Sequence, residues 1–229
     1  MNKVLKTLIS LVLLAVIAGL AYMIVQSIME PVNFNKHVDA RKTVAVQRLK
    51  DIRTLQVAYR SVNGKFTSDF DSLANFYKNG KMEVVMQIGS NDDSLAVANT
   101  EKLKKQNSKI TPQQMYELYK QGQALVFSVR NEVAVKDTLF NSRTDFNVDS
   151  LKYIPFSGKQ MVEMEAVEKM VSGVTVPLFE AKMPYKKLLK GLDNQLRINL
   201  DAQCRNSNHY EGLQVGSISA PNNNAGNWE

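Results

Sequence analysis

The sequence predicts an α+β chain: an apolar N-terminal helix, an amphipathic continuation, and a mixed head with an antiparallel sheet. Residues 8–25 (LISLVLLAVIAGLAYMIV) are apolar apart from Ser10 and Tyr22. Residues 46–62 repeat apolar side chains at spacings of three and four, the mark of one buried helix face. After Gly64, short strand-rich stretches alternate with capped helical stretches, which is the pattern of an α+β head.

The apolar run comes first. At about 1.5 Å per residue it approaches the roughly 30 Å hydrocarbon core of a bilayer. Lys3 and Lys6 precede it, and Gly19-Leu20-Ala21 resembles a signal cleavage site. A cleaved signal has a shorter apolar core and a polar exit. Here the run continues through Tyr22, Met23, Ile24, Val25 and Ile28, so an uncleaved transmembrane anchor over residues 1–30 is expected. Lys3 and Lys6 on one side nearly balance Lys36, Arg41 and Lys42 on the other, so charge alone leaves the orientation open.

Glu30-Pro31 is expected to end that helix, because proline lacks an amide proton and disfavours helix before it. An elbow over residues 32–36 follows, and the elbow with its amphipathic helix occupies residues 31–64. Val46, Leu49, Ile52, Leu55, Ala58, Tyr59 and Val62 form the stripe. Leu55, Ala58, Tyr59 and Val62 are expected to pack internally. Val46, Leu49 and Ile52, nearer the membrane, are expected to contact a partner. Asn63-Gly64 is a helix stop.

The head is expected over residues 65–229. Ser68-x-x-Asp71 approximates a capping box for a short helix carrying Phe70, Leu73, Phe76 and Tyr77. Residues 83–88 (EVVMQI) read as a strand, and the polar stretch 90–110 as an insertion with about one helical turn. Thr111-Pro112-Gln113-Gln114 starts a helix that stops at Gly122. A hairpin is expected over residues 124–136, turning at Arg130-Asn131-Glu132. Residues 151–156, 160–167 and 174–183 read as strands, with Ser172-Gly173 turning between the last two. In residues 192–205, Leu196, Ile198 and Leu200 alternate like a strand, whereas Leu192, Leu196, Leu200 and Cys204 repeat at four like a helix. Length and the Asp193 cap favour helix. Residues 212–218 read as a last strand, and Trp228 as a residue either docked or exposed.

Composition excludes few functions. The net charge of +7 is moderate. Lys36, Arg41, Lys42, Arg48, Lys50, Arg53 and Arg60 are concentrated just after the apolar run, against Asp39 and Asp51. Such a helix can meet anionic lipid headgroups. No stacking pattern or nucleic-acid motif accompanies it, so no nucleic-acid partner is expected. Cys204 is the single cysteine, so no internal disulfide forms.

His37 and His209, the only histidines, have no partner at metal-ligand spacing. Asp69 and Asp71 read as charges at a helix start, and Asp92-Asp93 lacks the pattern of a calcium loop. No nucleophile elbow, phosphate loop or dinucleotide fingerprint occurs. No catalytic, metal or cofactor-binding residue is therefore expected, and no enzyme.

One segment is more specific. Residues 49–66 (LKDIRTLQVAYRSVNGKF), followed by Asp71-Ser72-Leu73, resemble the helix-to-head junction of type IV pilins and secretion pseudopilins. That likeness covers about the first third of the chain. It implies a pilin-like head with an antiparallel sheet. The chain lacks the Phe-x-x-x-Glu start of processed pilins, so the resemblance extends to plan and not to polymerisation. The whole chain, with its ending Asn222-Asn-Asn-Ala225-Gly-Asn-Trp228-Glu229, is similar to a family of single-pass bacterial envelope proteins. This implies a body in the periplasm and no particular activity.

The expectation is a single-pass protein of the bacterial inner membrane with a periplasmic body. It would act as a non-enzymatic scaffold or interaction subunit in a pilus-like, secretion-like or proton-driven envelope machine. Inner-membrane or periplasmic proteins would be its partners, with lipid around the first helix. The alternative is a membrane-anchored periplasmic ligand-binding protein.

Overall fold

The computed structural model describes the backbone of residues 3–229 and the side chains of residues 8–229. It is 50% helix and 20% strand, with antiparallel sheets, so the chain is α+β. Packing divides it into two compact units, residues 1–54 with 149–229, and residues 55–148. The single head expected over residues 65–229 is thus two units.

The first correction concerns Pro31. No elbow forms. Helix α1 runs unbroken over Lys3–Asn63 with Pro31 inside it. Proline removes one hydrogen bond, at about 3 kcal/mol. An elbow would strand up to four carbonyls of one helix and four amides of the next. Just after Pro31, Phe34 and Val38 are 7% and 3% exposed, and their burial holds the following turns in helix.

In the first unit, β3 (Glu163–Val171), β4 (Val174–Pro184) and β5 (Gly212–Gly216) form an antiparallel sheet in the order β3-β4-β5. Ser172 and Gly173 both have positive φ, as a two-residue hairpin turn requires. Central β4 carries the core, with Phe179, Ala181 and Met183 fully buried. The expected strand at residues 151–156 is instead a looped segment joined to the next by one bridge, Tyr153 to Met161. Helix α1 is tied to this unit by Arg48, which donates 2.5 Å to the Tyr153 carbonyl, and by Arg53, 2.6 Å from Glu229. Short α6 (Tyr185–Leu188) and α7 (Asn194–Asn206) follow β4. The Asp193 side chain caps α7 by accepting from Leu196 N–H. Trp228 is half-buried, with its indole Nε1 enclosed and without a partner.

The second unit begins with the last turns of α1. The buried Gln56 side chain donates to the Thr67 carbonyl at 2.5 Å and accepts from its amide at 3.2 Å. Helix α2 (Phe70–Asn79) is capped by Asp69, which accepts from Asp71 and Ser72 N–H. The cap is one residue later than expected, because two carboxylate oxygens reach two orphan amides. Strand β1 (Lys81–Ile88) pairs antiparallel with β2 (Phe127–Ala134). Arg130-Asn131-Glu132 lies inside β2, so the expected hairpin is replaced by a pairing with β1.

Residues 90–110 are not a loose insertion. They hold α3 (Ser94–Gln106), capped by Asp93. Thr100 Oγ1 secures it, donating to Ala96 O and accepting from Val126 N–H at 2.8 Å. Helix α4 (Pro112–Lys120) has both halves of its capping box. Ile88, Met115, Leu125, Phe127 and Val129 form the core here, and α5 (Val135–Thr138) follows β2.

The stripe needs the second correction. Leu49 and Ile52 are fully buried, so neither is a partner contact. Val46 is half-buried. Leu55 and Ala58 are buried and Tyr59 is half-buried, its ring 5.3 Å from Phe76. Val62, expected inside, is 49% exposed because it falls in the last turn of α1. Leu49→Ala should therefore destabilise the detergent-solubilised chain by about 2–5 kcal/mol, and Val62→Ala by less than about 0.5 kcal/mol. Thermal unfolding followed by circular dichroism measures both, and equal effects would contradict this burial.

Candidate functional site

Of the residues singled out in the sequence, His209 joins the cleft described below, and the others do not converge. His37 is exposed on α1, and Asp69 and Asp93 are spent as helix caps. The Asp69 carboxyl lies below the usual range, chiefly because Ser72 Oγ donates to it. Among the described residues, no three His, Cys, Asp or Glu side chains gather as a metal site.

A different group does converge, on the first unit. Arg197, Asp201 and Arg205 are spaced by four on α7 and so share one face. The segment after α7 folds back and brings His209, Tyr210 and Glu211 to that face. Lys186 of α6 completes the rim. Together they line a cleft of ≈ 610 Å³, a small-molecule size.

Asp201 is the group under most tension. It is 6% exposed. Oδ2 accepts from Arg197 Nη1, while Oδ1 is enclosed with no hydrogen-bond partner. Removal from water raises its carboxyl above the ordinary value, and the Arg197 charge opposes that only in part. Arg197 is held in place by Asn194 Oδ1, to which it donates at 2.9 Å. Arg205 pairs with Glu211 at 2.8 Å.

Burial also governs the neighbouring groups. It pushes the Tyr185 phenol up to about 12 and the Tyr210 phenol upward. The Lys42 ammonium sits 5.1 Å from the Tyr185 ring centre. Cys204 is half-buried on α7, and burial raises its thiol, so it stays protonated and unreactive near neutral pH.

Chemically, the cleft presents two Arg–carboxylate pairs, Arg197–Asp201 and Arg205–Glu211, beside Lys186, with the Tyr210 side chain in its lining. Nothing in it pairs a nucleophile with an oriented base. Its α7 residues were legible as an i, i+4, i+8 series of alternating charge, but the series alone reads as a solvated helix face. No family model, no curated protein and no solved structure matches the chain.

The Asp201 environment predicts a pH signature. A carboxyl whose folded value is raised binds its proton more tightly folded than unfolded. Its contribution to stability is therefore greatest at low pH and is lost as pH rises from about 4 through the folded value. Asp201→Asn removes that loss. The stability difference between variant and parent should shift in the variant's favour between about pH 3 and neutrality. A flat or opposite trend in thermal unfolding would show that Arg197 fully compensates the burial.

Proposed function

We propose that this chain is a non-enzymatic, single-pass protein of the bacterial inner membrane. Its periplasmic body would serve as a scaffold or interaction subunit of an envelope assembly. One observation carries the reading. The apolar stretch of α1 has a mean hydropathy of 2.8 and is wholly uncovered by the rest of the chain, while the same helix is packed from Phe34 onward. The core helix of a soluble protein would be covered. Leaving such a surface in water is unfavourable at about 25 cal/mol per Å². The side chain of Tyr22, just after the signal-like Ala21, is as bare as its apolar neighbours at 68% exposed, and the helix continues through it. The pilin-like junction supports the periplasmic side, and a machine of secretion or transport type supplies the partners.

The test has two parts. Membrane-purified protein should have the mass of the uncleaved chain, with or without Met1. A reporter active only in the periplasm, fused after Glu229, should be active. A mature start at Tyr22, or activity of a cytoplasm-only reporter, would end this reading. A stoichiometric complex with another envelope protein in mild detergent is expected. A chain that purifies only as a free monomer would refute the scaffold role.

The α7 cleft favours a second reading, a membrane-anchored ligand-binding protein. Lys186, Arg205 and His209 on one concavity suit a small anionic molecule, with Tyr210 offering its ring. Thermal-shift screening of sugar acids and small carboxylates should yield a saturable rise in midpoint. Arg205→Glu should abolish that rise without lowering the midpoint of the free protein by more than a few degrees.

A further inference from the structure

We infer that the first unit is seated on the membrane, with the Phe156 loop facing down onto the layer of anionic lipid headgroups. This rests on the reading of α1 as a membrane anchor.

Depth is the first argument. Glu30 is the first acid after the apolar run, and Phe34 follows about 6 Å further along the helix. One headgroup layer is about 5–8 Å thick. Phe34 is nevertheless 7% exposed, so the chain already covers α1 at headgroup height. No bare stalk separates the packed part of α1 from the surface.

Composition is the second. Arg41 lies on the same helix face as Phe34, two turns on. Its guanidinium donates to the Leu188 and Lys190 carbonyls at 3.0 and 2.9 Å and stacks 5.1 Å from the Phe156 ring centre. Helical side chains tilt toward the N-terminus, here toward the bilayer. A Cβ on Gly158 would lie 3.6 Å from the Lys190 ammonium. Exposed Phe156 and Lys159 and the Lys190 ammonium beside Gly158 thus share one surface with Arg41. Glu30 and Asp39 are the acids on that stretch of α1. An exposed aromatic ringed by cations fits an interface of acyl chain and phosphate.

The third argument is the loop's build. Phe156 is 53% exposed with φ of 60°, and Lys159 has φ of 68°, a conformation that bulky residues rarely adopt. The loop is locked from inside by fully buried Ser157. Its Oγ donates to Ile154 O at 2.7 Å and accepts from Gln160 N–H at 3.0 Å. A strained, rigid loop that presents an apolar ring outward marks a contact surface.

The test uses the full chain in lipid nanodiscs, carrying Trp228→Phe and Phe156→Trp so that the loop holds the single tryptophan. In discs containing phosphatidylglycerol, the loop indole should be shielded from the neutral aqueous quencher acrylamide and quenched by lipid brominated near the headgroup. In discs of phosphatidylcholine alone, acrylamide access should rise at least roughly twofold, since each cation contributes severalfold to seating. Lys159→Gln with Lys190→Gln, or high salt, should release the indole in the phosphatidylglycerol discs. A helical turn, Glu-Ala-Ala-Lys, inserted between Asn33 and Phe34 lifts the unit about 6 Å without touching its core and should do the same. Equal acrylamide access in both lipids, or no response to the charge and insertion variants, overturns the inference. So does shielding in native membranes that the discs fail to reproduce, which assigns the surface to a protein. A chain that never inserts into discs refutes the anchor itself, a separate failure.

Discussion

Everything in this chain depends on the continuity of α1 across Pro31. One side of the proline is apolar around its whole circumference, and the other carries a single buried stripe. A break between them would be easy to write into a sequence and costly to build. The proline forfeits one hydrogen bond, the one its amide would have made to Ser27. A break forfeits a full set of terminal bonds at the end of a strongly apolar stretch. The burial of Phe34 and Val38 then sets the helix on the far side. Local propensity predicted an elbow, and backbone satisfaction together with side-chain burial overrides it.

The same contrast explains which elements were legible. Thr111, Asp193 and the Ser172-Gly173 turn act through atoms a few residues away, so their chemistry is visible in the sequence. Helix α3 was hidden because its sequence is polar and only Ala96 and Thr100 are buried. It is held by the Thr100 hydroxyl reaching Val126 and the Asn99 amide reaching the Ala124 carbonyl, contacts no short window of residues contains. The misplaced hairpin has the same origin. Arg130 pairs with Val85 and Val129 with Met86, so the partner strand lies far away in sequence, and nothing local at residues 130–132 demanded a turn.

The stripe on α1 was legible as a stripe, but not as to what covers it. Spacing shows which side chains share a face, and says nothing of how far the covering structure extends. Leu49 and Ile52 are fully buried because the first unit reaches down α1 towards the apolar segment. Val62 is open because the helix outruns its cover. The α7 cleft was illegible for a related reason. Arg197, Asp201 and Arg205 show their spacing, but the concavity exists only because His209, Tyr210 and Glu211 fold back beside Lys186.

Rigidity ties these features together. A flexible linker after the apolar stretch would let the first unit reorient about it, and any contact the unit made would then bear an ordering cost. An unbroken helix fixes the axial distance from the apolar stretch at about 1.5 Å per residue. Arg41 and Arg48 clasp the loops that flank Phe156 through backbone carbonyls. Ser157 holds the loop's own geometry from inside. The left-handed backbone at Phe156 costs about 1–3 kcal/mol and is sustained by this framework, so the ring's position is determined before it meets any surface. The loop's distance from the apolar stretch, its orientation and its shape are therefore set by the same helix, and a change at Pro31 would propagate to all three.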